Sequence, residues 1–93
     1  MIDIAQERIV RVSNSLGVHA RPAGKISQEA QRFSADIIIT SQDGEADAKS
    51  ILDILTLAAP RGTELLIKAS GPDAPQAIET IVRLFEDKFG EDR

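Results

Sequence analysis

One short segment of this 93-residue chain carries residue types suited to group-transfer chemistry. The segment SLGVHARPAGK contains His19, the only histidine of the chain, and Arg21 follows two positions later. A neutral imidazole is a nucleophile near neutral pH, and a guanidinium presents a planar, permanently charged fork to phosphate oxygens. Because phosphoryl transfer requires mainly positioning and charge neutralisation, this pair predicts a minimal phosphoryl-accepting site.

A predicted helix would position both side chains. Pro22 suits a first helical turn, and the apolar residues after it recur at three- and four-residue spacing, which predicts a helix beginning near Ala20. The predicted apolar face consists of Ala23, Ile26, Ala30 and Phe33. His19 then lies at the helix N-terminus, where unpaired N–H groups and the helix dipole favour an anion and a neutral imidazole.

The sequence around His19 offers no further chemistry. No carboxylate, second histidine or glycine-rich loop adjoins it, so the expected site consists of the imidazole, the arginine and the helix N–H groups. A metal site and a bound cofactor are not predicted. A histidine near a helix start is also commonly a capping or surface residue, and the residue types alone leave that alternative open.

Strand and helix patterns alternate along the rest of the chain. The strand patterns are ERIVRVS, ADIIITS, EADA and TELLIKAS, with a hairpin turn at Asp43-Gly44 between the second and the third. Ser50 is the predicted N-cap of a helix over SILDILTLAA, and Pro60 and Gly62 end it. The third helix has Asp73 as its predicted N-cap, Pro75 in its first turn and Gln76 as a capping-box partner.

The order of these elements predicts the fold class. The third helix carries an apolar stripe that comprises Ile78, Ile81, Val82, Phe85 and Phe89. The resulting order is β-α-β-β-α-β-α, which indicates an α+β protein with helices covering one face of a mostly antiparallel sheet. At this length, residues 1–93 are expected to form a single domain.

Composition excludes several classes of function. The chain has no cysteine, which excludes disulfides and thiolate metal sites. Its net charge of −4 makes nucleic acid an unsuitable partner, since phosphate backbones require a basic surface. No signal peptide or membrane-spanning run is recognisable, so a cytoplasmic protein without membrane insertion is expected. The acidic C-terminal segment LFEDKFGEDR is interpreted as a solvated helix end.

Three segments together resemble one known family. LGVHARPA is similar to the active-site signature of HPr, the histidine-containing phosphocarrier of the phosphoenolpyruvate:sugar phosphotransferase system. AKSILDILTL resembles the second signature of that family, and GTELLIKASGPD with the amphipathic helix after it resembles the remainder. The resemblance implies an HPr-like open-faced β-sandwich, in which a four-stranded antiparallel sheet carries three helices on one face.

The resemblance also implies a phosphoryl carrier rather than an enzyme. His19 would accept a phosphoryl group on Nδ1 from phosphorylated enzyme I and pass it to the IIA domain of a sugar permease. Arg21 would steady the phosphate together with the backbone N–H groups of Ala20 and Arg21. The carrier would need no cofactor of its own and would act as a monomer.

A second site is implied at the start of the second helix. Ser50 is expected to cap this helix, with Asp53 completing a capping box. The matching serine in many HPr proteins is phosphorylated by HPr kinase/phosphorylase, which would place Ser50 next to Lys49 as a regulatory site. The partner-docking surface implied by the family comprises Gly24, Lys25, Lys49, Leu52, Asp53 and Leu55, and Leu52 is expected to be exposed. Asp53 departs from the glycine or lysine usual there and reduces the attraction of acidic partners.

Two other functions remain open from the sequence. A regulatory module of a nitrogen-type or catabolite-control branch would use His19 or Ser50 without feeding a sugar permease. A small hydrolase resembling acylphosphatases would use Arg21 and Asn14, although the phosphate-cradling glycine loop of that family is not recognisable.

Overall fold

Alternating side chains build a four-stranded antiparallel sheet. In the computed structural model, which describes residues 5–92, its strands are β1 (Ala5–Arg11), β2 (Asp36–Ser41), β3 (Gly44–Asp47) and β4 (Glu64–Ser70). The strand order is β1-β4-β2-β3, with every neighbouring pair antiparallel. The two central strands are therefore β4 and β2, and Ser70 at the end of β4 lies opposite both Ala5 and Asp36.

The two faces of the sheet differ in polarity. In β4, Leu65, Ile67 and Ala69 are buried, whereas the side chains between them are partly exposed. In β1 the same alternation buries Val10 and leaves Ile9 exposed on the other face. This period of two follows from the pleat of a strand, and it leaves one face of the sheet for helices to cover.

Three helices cover the apolar face. They are α1 (Ala20–Ala30), α2 (Ile51–Thr56) and α3 (Ala74–Glu86), and a 3₁₀ turn over Lys88–Gly90 follows the last of them. Helix α3 packs on the sheet strands and on α1, and α1 in turn packs on α2. The predicted α+β class and the open-faced sandwich of four antiparallel strands and three helices are thereby confirmed.

All three helices end earlier than the sequence pattern indicates. Helix α1 ends at Ala30, so Phe33 lies beyond the helix and is only half-buried. Helix α2 ends at Thr56 rather than at Ala59, and Ala58 has a positive φ of 47°, which is incompatible with a right-handed α-helix. Helix α3 ends at Glu86, so Phe89 is not part of the helical stripe. Phe89 has a φ of 56° in the 3₁₀ turn, yet its side chain is buried. Burial was therefore predicted correctly, but a tight turn rather than another helical turn produces it.

The N-cap residue of α3 does not form the predicted capping box. Asp73 is the N-cap residue of α3, but its carboxylate accepts hydrogen bonds from the backbone N–H groups of Ser34 at 2.9 Å and Ala35 at 2.8 Å. This carboxylate ties the start of α3 to the start of β2, and the capping box with Gln76 does not form. The two backbone hydrogen bonds hold the pKa of Asp73 below its usual 3.8, against an opposing effect of desolvation.

No helix within residues 5–92 is long and apolar enough to cross a bilayer.

Candidate functional site

His19 occupies the N-cap position of α1, as the sequence predicts. Its backbone is extended, with φ −96° and ψ −166°, and its carbonyl accepts the hydrogen bond of the Ala23 N–H at 3.0 Å. Ala20 and Arg21 are the first two helical residues, so their N–H groups have no intrahelical acceptor. Pro22 has no N–H to orient. The start of α1 therefore presents two backbone donors directly after the imidazole-bearing residue.

The loop before His19 is held by close backbone contacts. Gly17 has a φ of 69°, and a Cβ added there would lie 2.5 Å from the carbonyl oxygen of Ala59. The next residue, Val18, donates its N–H to the same oxygen at 2.9 Å. Only glycine combines this left-handed backbone with so close an approach. The segment after α2 thus sets the position from which α1 begins.

A carboxylate that lies 72 positions away in the chain contacts the His19 ring. Glu91 Oε2 lies 2.8 Å from His19 Nε2, and Glu91 Oε1 accepts a hydrogen bond from Asn14 Nδ2 at 2.8 Å. Only 13% of the Glu91 side chain is exposed, compared with 34% of His19. The expectation of a site without a carboxylate is therefore wrong, as is the interpretation of the acidic C-terminal segment as wholly solvated.

The C-terminal segment returns to the site because both the ring and the carbonyl group of Phe89 are held by other parts of the fold. The buried ring of Phe89 contacts Phe85 edge-on, with ring centroids 4.9 Å apart. Lys25 of α1 donates a hydrogen bond from Nζ to the Phe89 carbonyl. The apolar spacing of Phe89 is a sequence signal for this anchor. No local signal identifies Glu91, because its partners are distant in the chain.

Hydrogen bonds and nearby cations keep Glu91 ionised. The Asn14 amide is the main cause that lowers the pKa of Glu91 below its usual 4.5, and the His19 hydrogen bond and the charges of His19 and Arg21 act in the same direction. Desolvation opposes them. The group that faces His19 Nε2 is therefore a carboxylate at neutral pH.

The Asn14 amide is committed to this arrangement. Its Nδ2 donates to the Gly17 carbonyl at 2.7 Å as well as to Glu91, and the residue is completely buried. Because both acceptors carry only lone pairs, the amide nitrogen must face them. Asn14 therefore has no N–H group left for a substrate, which removes the feature on which the hydrolase alternative rested.

Arg21 is exposed beside an open depression. This depression, of about 410 Å³, is lined by Ser15, Leu16, Arg21, Gly90, Glu91 and Asp92. Arg21 and Glu91 place opposite charges along it, close to His19. The described residues 5–92 contain no cluster of histidine and acidic side chains that could hold a metal ion.

These features match a known family. A family model described as the PTS HPr component phosphorylation site matches residues 6–87. The chain belongs to the HPr family. The phosphocarrier family inferred from LGVHARPA and AKSILDILTL is thereby confirmed.

Similar proteins include both HPr and NPr phosphocarriers. Phosphocarrier protein HPr of Treponema pallidum (strain Nichols) is 44% identical over 85 residues, which are 91% of this chain and 97% of that protein. Phosphocarrier protein NPr of Escherichia coli (strain K12) is 34% identical over 87 residues, covering 92% and 97%. The crystal structure of HPr-C-His from Thermoanaerobacter tengcongensis has a TM-score of 0.90 at 36% identity and covers 95% of this chain and 99% of that chain.

The docking residues implied by the HPr resemblance differ in exposure. Leu52 is 77% exposed, as expected, and Leu16 and Ile51, which were not among the predicted docking residues, are also exposed. Leu55 is half-buried and packs against the core. Gly24 faces open space, with no atom within 4 Å of an added Cβ.

The two docking lysines have intramolecular partners. Lys49 Nζ donates to the Phe33 carbonyl at 2.9 Å, and Lys25 Nζ donates to the Phe89 carbonyl. Both side chains are half-buried. Arg21 is more exposed than either lysine.

Ser50 caps α2 as predicted, but the side chain of Asp53 does not accept a hydrogen bond from the Ser50 N–H, which a capping box would require. Its Oγ accepts the Asp53 N–H at 3.2 Å. The Asp53 carboxylate accepts from the Asp47 N–H at 3.3 Å rather than from Ser50, because α2 follows the end of β3 closely. Lys49 also links this cap to α1, since its carbonyl accepts the buried Ser27 hydroxyl at 2.9 Å.

Proposed function

We propose that this chain accepts a phosphoryl group on His19 Nδ1 from phosphorylated enzyme I and passes it to the IIA domain of a sugar permease. One observation carries the proposal: His19 is the N-cap of α1 with Nε2 bound to Glu91, and Nδ1 makes none of the hydrogen bonds formed within residues 5–92. Nδ1 belongs to a side chain that is about one-third exposed.

The transfer itself needs no cofactor. The Nδ1 lone pair attacks phosphorus, the bond from phosphorus to the donor group breaks, and its electron pair returns to the donor. Arg21, which is exposed, and the N–H groups of Ala20 and Arg21 belong to the helix start that His19 caps, where they can bind the phosphoryl oxygens. Passing the group to an acceptor reverses these steps, so the protein is a carrier and its partners complete each site.

Exposed apolar side chains support a docking role for the surface near His19. Leu16 precedes the histidine in its loop, and Ile51 and Leu52 lie on α2, whose following segment holds that loop through Ala59. Large apolar residues surrounded by polar ones are typical of transient protein interfaces. We propose that enzyme I and IIA domains bind here in turn, and that the carrier is a monomer so that this surface stays free.

The sugar branch is favoured over a nitrogen-type regulatory branch. The relative named HPr is 44% identical to this chain, whereas the relative named NPr is 34% identical. A regulatory role without sugar transport would use the same His19 chemistry but different acceptors. Parallel transfer assays with sugar-type and nitrogen-type IIA proteins separate the two, because faster transfer to the nitrogen-type protein would contradict our assignment.

Intact-mass measurement tests the carrier function. The chain is incubated with phosphoenolpyruvate and enzyme I of the same organism, and we expect one added phosphoryl group that is acid-labile and alkali-stable. His19→Ala should gain none, while His19→Ala and the wild type give equal folded circular dichroism spectra. An unmodified wild type, or a phosphorylated His19→Ala variant, would show that the proposed function is wrong.

A further inference from the structure

We propose that Glu91 is a positioning residue that fixes the tautomer of His19 and so selects Nδ1 as the nucleophile. The inference deepens the proposed phosphocarrier function and rests on it. It assigns a role to Glu91, which no local sequence pattern identifies.

The acceptor character of the carboxylate determines the tautomer. Glu91 Oε2 lies 2.8 Å from His19 Nε2, and an ionised carboxylate can only accept a hydrogen bond. The proton of the neutral imidazole must therefore be on Nε2. Nδ1 then carries the lone pair, and a ring protonated at Nδ1 would set two lone pairs against each other across the contact.

Asn14 fixes the orientation of the carboxylate. Its Nδ2 donates to Glu91 Oε1 at 2.8 Å and to the Gly17 carbonyl at 2.7 Å. Asn14 is fully buried and belongs to the loop that leads to His19. The two oxygens of Glu91 thus have distinct partners, one in the loop and one on the ring, and the ring orientation is set by a connected chain of hydrogen bonds.

The carboxylate is held rigidly enough to perform this task. Phe89 buries its ring two residues before Glu91, and Lys25 of α1 binds the Phe89 carbonyl. The turn between Phe89 and Glu91 is closed by the Glu91 N–H, which donates to the Lys88 carbonyl at 3.0 Å. Because the backbone of Glu91 is already held in place, less conformational entropy is lost when its carboxylate binds the imidazole.

The same contact stabilises the product of transfer. When Nδ1 bonds to phosphorus while Nε2 keeps its proton, the ring becomes positively charged. The Glu91 carboxylate opposite Nε2 offsets that charge, and no proton has to leave or arrive during the step. A buried carboxylate that orients an imidazole and stabilises its charged form has the same effect on a histidine base in serine proteases.

The decisive measurement is the tautomer of His19, read from the two ring ¹⁵N chemical shifts in NMR spectra of the labelled protein. The neutral ring of the wild type should be in the Nε2–H form. In Glu91→Gln, Asn14 still binds the side-chain oxygen, so the amide nitrogen faces His19 and donates to Nε2. We expect the Nδ1–H form to become the major tautomer in this variant, while Glu86→Gln, the same substitution at an exposed acid on α3, keeps the wild-type shifts.

Phosphorylation rates provide the functional readout. Phosphoramidate transfers its phosphoryl group to histidine and releases ammonia, so it reports on His19 without a protein partner. Glu91→Gln should be phosphorylated about ten- to a hundredfold more slowly than Glu86→Gln with this donor and with enzyme I.

The outcomes separate this inference from the carrier function. A wild type in the Nδ1–H form, unchanged ring shifts in Glu91→Gln, or equal rates for both variants would overturn the role of Glu91 and leave the carrier function standing. If instead the wild type is never phosphorylated by enzyme I but the tautomer shifts as expected, Glu91 orients the ring and the carrier function is wrong.

Discussion

Gly17 illustrates how a single residue controls the position of the loop that carries His19. It combines a φ of 69° with a 2.5 Å approach of an added Cβ to the Ala59 oxygen. Gly17→Ala should therefore lower the free energy of unfolding by about 2 kcal/mol or more, since the left-handed backbone and the contact are both unfavourable for alanine. Urea unfolding followed by circular dichroism measures this. A change below half that size would mean that the loop moves away from Ala59 at little cost.

Gly24 is the matched control for Gly17. It lies inside α1 and an added Cβ would have no atom within 4 Å. Gly24→Ala should raise stability by about 0.5–1 kcal/mol, because alanine restricts the unfolded chain and suits a helix. The same variant tests the proposed docking surface. Slower transfer from enzyme I in a more stable protein would assign Gly24 to the contact, and an unchanged rate would exclude it.

At the scale of elements, the stability of α2 depends on its N-cap residue, Ser50. Its hydroxyl caps the helix by accepting the Asp53 N–H, so Ser50→Ala should cost about 1 kcal/mol of stability. Ser50→Asp should retain most of that stability, since aspartate is also a favourable N-cap. We propose that a negative charge here opposes docking next to Leu52, as phosphorylation by an HPr kinase/phosphorylase would.

Kinetics separate the two effects of Ser50. Phosphorylation of His19 by enzyme I should be slower in Ser50→Asp and near the wild-type rate in Ser50→Ala, although Ser50→Ala is the less stable variant. Equal rates for all three proteins would remove Ser50 from the regulation of this encounter and leave it a helix cap.

Local sequence patterns predict these elements well but their ends less well. The alternation in TELLIKAS and the helical spacing from Pro22 to Ala30 depend on neighbouring residues, and the structure forms a strand and a helix there as expected. The ends of α2 and α3 depend on backbone turns at Ala58 and Phe89. Positive φ at an alanine or a phenylalanine is imposed by tertiary packing, so the sequence pattern continues each helix too far.

At the scale of the whole molecule, contacts between distant segments complete both the fold and the site. His19 and Arg21 were predictable because they share one turn of chain with the helix start. Glu91 was not, since its contacts with Asn14 and His19 span 77 and 72 positions. Residue types and spacing indicate the proposed nucleophile, whereas the packing of Phe89 brings Glu91 to its ring.

Two such carboxylates make the stability of the whole fold depend on pH. Asp73 joins the start of α3 to the start of β2, and Glu91 joins the C-terminal segment to the loop before α1. Hydrogen bonds lower the pKa of both in the folded protein, below the usual 3.8 and 4.5. Each carboxylate therefore binds protons more weakly in the folded than in the unfolded state. Its contribution to stability is fully present above the usual pKa and is lost as the pH falls through the lower pKa of the folded state.

Urea unfolding at a series of pH values from neutral to acidic tests this dependence of stability on pH. The midpoint should be nearly constant at neutral pH and should fall once the pH drops below about 4.5, with the fall reduced in Asp73→Asn and in Glu91→Gln. Glu86→Gln is the matched control, because Glu86 is an exposed acid on α3. The two test variants should also lose stability at neutral pH, where Glu86→Gln should not. A fall of the same size in all four proteins would mean that the two long-range carboxylates are not the groups through which acid unfolds this protein.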